Sequence, residues 1–276
     1  MIRTLAGNKS QIIKDQAFCS LLNNKLPEPD ALFTSIFDDF DQKIRAIDAS
    51  ITREALSNVH GDWYEWLLAI SSWNYCCDNH DANLAILLPS INQFNVSSLY
   101  EPRLLDLIID LKEKVSKVSS VQLITSNPDF VIINRKIVDG IIRDMNKVET
   151  ITENELSRLE LIHRQFTGKC GFEEIEGYIS VKTSLRPDRR LQISHEGSLM
   201  KALYAHLQTR EWITAPKGLK YFAIATEIKE PDRVALKTVA THSLTTVFSL
   251  PQAAVDGVFE VNSLQQAVET FSFVLG

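Results

Sequence analysis

The chain predicts an α/β fold, an α/β core preceded by a helical subdomain. Two observations carry this. Apolar residues in the first hundred positions recur mostly at helical spacing, whereas short apolar runs alternate with helical segments after about residue 120. No Gly/Ser/Pro-rich stretch separates the two parts, so the boundary, near 100 to 120, is not a flexible linker. The expected division is a helical N-terminal subdomain over 1–110 and an α/β core over 111–276.

The elements follow in order. Residues 61–75 place Trp63, Trp66, Leu67, Ile70 and Trp73 at near-helical spacing. Residues 103–118 put Leu104, Leu107, Ile108, Leu111 and Val115 on one helical face. The period then changes: 121–125 and 129–133 read as short strands broken by Asn127-Pro128. A polar insertion spans about 134–177. Within it Thr152-Glu153-Asn154-Glu155 fits a capping box that starts a helix through Leu156, Leu159 and Ile162. Residues 178–184 form a strand candidate, and 194–210 a helix with Leu199, Met200, Leu203, Tyr204 and Leu207 on one face. Two apolar strands, 221–226 and 234–239, and two helices, near 252–259 and 263–274, close the chain.

The composition is that of a soluble globular protein, 45% hydrophobic and 23% charged, with enough apolar material for a sizeable core. A net charge of −6 argues weakly against a nucleic-acid partner taken alone, because phosphates need Lys and Arg. Charge distribution decides more than the total. The four cysteines, Cys19, Cys76, Cys77 and Cys170, form no C-x-x-C pair and have no His at zinc-ligand spacing, as expected of reduced thiols in a cytoplasm. The first fifteen residues lack the apolar core of a signal peptide, and no run approaches a membrane span.

Chemistry concentrates in three places. Asn127-Pro128-Asp129-Phe130 sets an acid at the opening of an apolar strand, although a Pro-Asp pair alone is an ordinary turn. In Ser180-Val181-Lys182, residues two apart on a strand share a face, so Ser180 and Lys182 point the same way. A strand Lys beside a carboxylate suits phosphodiester hydrolysis: it orients an attacking water and offsets phosphate charge. An isolated S-x-K would equally be an edge-strand Lys reaching solvent. Third, Lys182, Arg186, Arg189 and Arg190 face one acid, Asp188, within nine residues. As a charge run this is a solvated loop. By residue type it is more, because Arg reads guanine O6 and N7 and an acid accepts from cytosine N4.

Asp129 and Lys182 together resemble the PD-(D/E)XK nuclease pattern, with Ser180 where the second acid usually stands. A neutral hydroxyl does not replace a carboxylate on a hard dication. Glu196, fourteen residues after Lys182 and expected in the first turn of the next helix, supplies the missing acid; by itself it would be an acid suited to a helix N-terminus. Pro128-Asp129, Ser180-x-Lys182 and Glu196 resemble the permuted site of the CCGG-cutting type II restriction endonucleases, the NgoMIV/SgrAI group. Further segments are similar to the R-CCGG-Y-cutting branch: Gly61 through Leu67, Leu123 through Phe130, Arg186-Pro187-Asp188-Arg189-Arg190-Leu191-Gln192, His195 through Tyr204, and Leu236 through Ser243. The resemblance runs from about residue 60 to 258; the first 55 residues and 134–177 match poorly.

The resemblance implies a PD-(D/E)XK restriction-endonuclease-like core, a mixed central sheet flanked by helices, cutting double-stranded DNA with Mg2+ and leaving 5′ overhangs. Asp129, Glu196 and Glu65 would hold the metal, Lys182 would polarise the water, and Ser180 would sit beside the site. Arg186, Asp188 and Arg189 would contact bases, with Arg190 on bases or phosphate. His195 is expected as a cap or supporting residue rather than a base. A palindrome requires a homodimer at least, and the resemblance implies a homotetramer with Arg210 and Trp212 at the dimer–dimer contact. Without it, Arg210 would cap its helix and Trp212 would fill the core. The expected setting is the cytoplasm of a prokaryotic cell. The alternatives are another PD-(D/E)XK nuclease, of repair or transposition, and a DNA-binding protein that does not cleave.

Overall fold

A computed structural model of the chain describes all residues except 6–8, 120–122, 124–126 and 245–250. In chain order it has β1 (Ile2–Leu5), β2 (Lys9–Ile12), α1 (Lys14–Leu21), α2 (Phe33–Ile47), α3 (Arg53–Asp78) and β3 (Leu84–Leu87). Then come α4 (Pro102–Ser119), β4 (Phe130–Ile133), α5 (Arg135–Ile141), α6 (Glu153–Leu161) and β5 (Ile175–Lys182). The chain closes with α7 (Pro187–Arg210), β6 (Lys220–Ala225), α8 (Glu230–Leu236), β7 (Gly257–Glu260) and α9 (Leu264–Val274).

The five central strands lie in the order β3-β4-β5-β6-β7. The first two pairings are antiparallel and the last two parallel, which makes the sheet mixed. Strands β3 and β4 are buried along their whole length, so they read as unbroken apolar runs rather than alternating ones. Helices cover both faces. Gly197 of α7 packs on the Tyr221 ring on one side. On the other, Phe222 meets Phe259, which meets Phe273 of α9. The helical first part of the chain thus contributes the edge strand β3 and shares one hydrophobic core with the rest.

Helix α3 is the pillar that carries one side of the cleft. Trp63, Tyr64, Trp66 and Trp73 are buried, and the polar tip of each has a partner. Trp63 Nε1 donates to the Lys14 carbonyl (2.9 Å), Trp66 Nε1 to Glu160 (2.9 Å), Trp73 Nε1 to the Asn146 carbonyl (2.8 Å) and the Tyr64 hydroxyl to the Val261 carbonyl (2.7 Å). Burial of each ring stabilises by roughly 3 kcal/mol or more, and the polar tips fix the rotation of the helix about its axis.

The helices at 61–75 and 103–118 lie within α3 and α4, and the strand at 129–133 is β4. Thr152 caps α6 by accepting from the Glu155 amide at 3.2 Å. Three expectations change. The helix at 194–210 begins earlier, at Pro187, because proline at the first position is pre-set for a helix. Of residues 234–239, read as a strand, the first three end α8, which carries Pro231 in its first turn and has the Asp232 carboxylate accepting from the Lys229 amide at 2.9 Å. Residues 252–259, read as a helix, run into strand β7. The polar insertion holds, besides the expected helix α6, α5 and the start of β5. The strand expected at 121–125 lies outside the described residues but for Leu123.

Candidate active site

Asp129 is placed by the turn before it. The Asn127 side chain accepts from the Val96 amide (3.0 Å) and donates to the carbonyls of Pro89 (2.8 Å) and Phe94 (2.6 Å). That anchors Asn127-Pro128 against a neighbouring loop and leaves Asp129 at the mouth of β4. The Asp129 Oδ2 accepts from the Lys182 ammonium at 2.8 Å, the Val181 amide at 2.5 Å and the Ser180 hydroxyl at 3.2 Å. The antiparallel pairing of β4 with β5 brings these residues together across some fifty positions of sequence. Both partners of the ion pair are mostly out of water, with 15% and 19% of their side chains exposed.

Glu196 reaches the same place from α7. It stands in the third turn of that helix rather than the first, so its surroundings come from packing and not from a helix N-terminus. It is 3% exposed. Its Oε2 accepts from the Tyr221 hydroxyl at 2.9 Å and its Oε1 from Gln192 Nε2 at 3.0 Å. Glu65, held between the anchored Tyr64 and Trp66, faces Asp129 and Lys182 from α3. Removal from water and the nearby Asp129 carboxylate push its pKa well above the usual range. Burial alone would lower the pKa of Lys182; Asp129, Glu196 and Glu65 outweigh it and raise it, so Lys182 is a cation at neutral pH.

Three carboxylates therefore surround one ammonium. The donor set is hard oxygen, suited to a divalent cation; Glu65 is raised first by removal from water and then by the Asp129 charge, and a bound cation would favour its ionised form. Among the described residues no three acidic, His or Cys groups already converge tightly enough to hold an ion, because Lys182, Tyr221 and Gln192 occupy these carboxylates. The residues fit a magnesium site in chemistry, with Asp129, Glu196 and Glu65 as the oxygens that would hold it.

Two cavities meet here. One, of about 850 Å³, is lined by Lys14, Glu65, Asp129, His163 and Arg164 among others. The second, of about 390 Å³, is lined by Asn58, Glu65, Lys182, Arg186, Asp188 and Arg189 among others. Of the cationic run, Lys182 ends β5, Arg186 is the residue before α7, and Arg189 and Arg190 lie in the first turn of that helix. Arg186 is exposed beside Asp188 at 3.8 Å. Arg190 turns away and pairs with Asp232 at 3.1 Å, docking α7 on α8. His195 is exposed within the helix and does not cap it.

Known enzymes resemble this chain in sequence and fold. A family model described as Cfr10I/Bse634I restriction endonuclease matches residues 2–275. The chain belongs to that family. The type II restriction enzyme Cfr10I of Citrobacter freundii is 38% identical over 276 residues, covering 98% of this chain and 96% of that protein. The crystal structure of the type IIF restriction endonuclease Bse634I with cognate DNA superposes with a TM-score of 0.91 at 28% identity, over 100% of this chain and 97% of the other. A second structure of Bse634I gives 0.90 at the same identity and coverage. Membership makes the chain a restriction endonuclease with the α/β fold expected of it. The likeness also extends through the first 55 residues and through 134–177, where the sequence segments resemble the family poorly.

Two residues of the site were not singled out in the sequence, Tyr221 and Gln192. Gln192 stands four positions before Glu196, the spacing at which helical side chains meet, and could have been found that way. Tyr221 sits in an apolar strand and carries no signal of its own.

Proposed function

We propose that the chain cleaves double-stranded DNA at a palindrome with a CCGG core, R-CCGG-Y, in a magnesium-dependent reaction leaving 5′ overhangs, as a member of the NgoMIV/SgrAI group. The observation that carries this is the Asp129–Lys182 pair, ringed by Glu65 and Glu196, opening onto a cavity walled by Arg186, Asp188 and Arg189. A restriction endonuclease co-crystallised with its cognate DNA has the same fold, which supports duplex DNA as the substrate.

In this mechanism Asp129, Glu196 and Glu65 would hold the cation and Ser180 supports Asp129. Bound there, it would supply charge compensation at the phosphate and make water a better nucleophile. Lys182, kept charged by Asp129, donates to the attacking water and aligns it with the scissile phosphate. The P–O ester bond opposite the incoming oxygen breaks, with no covalent enzyme intermediate. Arg186, Asp188 and Arg189 read the C·G pairs from the helix that also carries Glu196; Arg190 serves the DNA indirectly by seating that helix.

The palindrome requires a homodimer, and we place Arg210 and Trp212 at the contact that pairs two dimers into a homotetramer. Trp212 does not fill the core: it is 89% exposed, with a left-handed backbone (φ 57°) just past the end of α7. An exposed tryptophan held in a disfavoured conformation supports a protein contact there. The four cysteines are free, consistent with work in the cytoplasm. No helix among the described residues is long and apolar enough to cross a membrane.

Plasmid digestion with and without magnesium tests the reading. Discrete bands only with magnesium, and sequenced ends beginning within CCGG, are expected. Scattered ends would assign the chain to general DNA processing, and binding without cutting would make it a recognition module.

A further inference from the structure

Tyr221 is fully buried in β6. The parallel register pairs Tyr178 with Tyr221, Ser180 with Ala223 and Lys182 with Ala225. Register partners share a face, so Tyr221 projects to the side that bears Ser180 and Lys182. The small Ala223 opposite Ser180 leaves the diagonal open, and an aromatic ring is long enough to span it. The Tyr221 hydroxyl donates to Glu196 Oε2 at 2.9 Å. The Ser180 hydroxyl, on the same face, donates to Asp129 Oδ2 at 3.2 Å. Each acid is thus held by its own hydroxyl, Asp129 by Ser180 and Glu196 by Tyr221.

The ring itself cannot drift. The Tyr221 amide donates to Asp256 Oδ2 and the Asp256 amide to the Tyr221 carbonyl, both at 2.7 Å. Asp256 is ion-paired at 2.7 Å with Lys201, which is 3% exposed and lies one turn past Gly197. Gly197, beside Glu196, leaves space for the ring: a Cβ there would meet Tyr221 Cδ1 at 3.1 Å.

We infer that Tyr221 is a positioning residue for DNA cleavage: its hydroxyl fixes the Glu196 carboxylate and so holds the acid delivered by α7 at the metal-binding cleft. This rests on the proposed role of Glu196 in holding the cation.

The test compares Tyr221→Phe, Ser180→Ala and Glu196→Gln, and each of the first two combined with the third. Single-turnover cleavage is measured against magnesium concentration. Mn2+ binding to the enzyme–DNA complex is followed by electron paramagnetic resonance, and thermal midpoints are recorded. Tyr221→Phe is expected to raise the half-saturating magnesium concentration and the Mn2+ dissociation constant by about 10- to 100-fold, the range for losing a group that orients a ligand. The rate at saturating metal should return to within a few-fold of wild type. Ser180→Ala, which keeps the ring and acts on Asp129, serves as the contrast. Tyr221→Phe should not weaken Mn2+ binding further in the Glu196→Gln background, because it acts through that carboxylate, whereas any effect of Ser180→Ala should persist there. Wild-type metal curves for Tyr221→Phe beside an inactive Glu196→Gln would overturn the inference while leaving the role of Glu196 intact. An active Glu196→Gln with normal Mn2+ affinity would remove that role and the inference with it. Should Tyr221→Phe not fold, Tyr221→Met, an apolar side chain without the hydroxyl, decides: an unchanged curve, or a shift that persists in the Glu196→Gln background, overturns the inference.

Discussion

Replacing Gly197 by alanine sets two opposing effects against each other within one helix. In an exposed helix interior the change would stabilise by about 1 kcal/mol, since alanine is the better helix former. Here the added Cβ would lie 2.2 Å from the Ala254 carbonyl oxygen and 3.1 Å from the Tyr221 ring. An ordinary carbon–oxygen contact is about 3.3 Å or longer, so α7 and the backbone at Ala254 must separate by about 1 Å. Overpacking of this kind costs up to about 3 kcal/mol. A shift of that size also stretches the 2.9 Å bond from Tyr221 to Glu196 beyond hydrogen-bonding range, and a bond to a charged group contributes about 1.5–3 kcal/mol. The clash wins: Gly197→Ala is expected to destabilise by about 3 kcal/mol or more, lowering the thermal midpoint by roughly 6–10 °C. Displacing Glu196 by about 1 Å should also cost on the order of 100-fold in cleavage. Calorimetry and single-turnover cleavage check the two halves. A midpoint at or above wild type with full activity would refute the packing argument.

Three further outcomes follow from the same geometry. Glu65 has its folded pKa raised above its unfolded value, so its contribution is fully favourable below the unfolded pKa and is lost as pH rises through the folded one. Metal-free Glu65→Gln should therefore match wild type in urea titrations near pH 4 and exceed it near pH 8, and a difference that grows toward low pH would contradict this. Arg186→Ala should lose about 1–3 kcal/mol of discrimination for CCGG duplexes in gel-shift competition while keeping weak, salt-sensitive binding to any DNA; an unchanged preference would remove Arg186 from base reading. Trp212→Ala should elute as a dimer that still binds DNA but no longer favours two-site plasmids, and light scattering showing a wild-type mass near two chains would remove the tetramer.

What the sequence made legible follows from which forces are local. Helix α4 is long and one-sided, α3 is long and apolar with its aromatics at helical spacing, and the Thr152 cap of α6 is a contact between neighbours in sequence. Strands β4 and β5 announce themselves as apolar runs bounded by polar turns. Errors fall where elements are short. Helix α8 has seven residues and β7 only four, three half-buried and one exposed, opening on glycine, too few for any period to show. The start of α7 was misplaced for a different reason. Its first turns are polar because they line the cleft, so the apolar pattern begins at Ile193 although Pro187 marks the real beginning. Asp129, Lys182 and Glu196 were legible as residue types at a spacing. Glu65 needed the resemblance, and Tyr221 needed the register of two parallel strands, which no local pattern encodes.

The acidity of the chain and its proposed polyanionic substrate are reconciled by where the charges sit. Acids on the outer helices are tied up in short-range pairs, as in Lys43–Asp39, Lys114–Asp110 and Lys117–Glu113, and these contribute little field at a distance. The cleft is organised differently. Lys14 and Arg164 line one cavity beside Asp62 and Glu160, Arg186 and Arg189 the other beside Asp188, and Glu65 belongs to both. A duplex spanning the cavities would meet these cations at its flanks, and at the scissile phosphate a divalent cation would offset the carboxylates there. Helix α7 adds the last constraint. Ten residues separate Arg186 from Glu196, a rise of about 15 Å along a rigid helix. Seating Arg186, Asp188 and Arg189 on the correct bases therefore sets the position of Glu196 relative to Asp129 and Lys182, so a mismatched site misplaces a metal-holding carboxylate before it weakens binding by much. On this arrangement specificity in cleavage exceeds specificity in binding, because the same helix reads the sequence and completes the site.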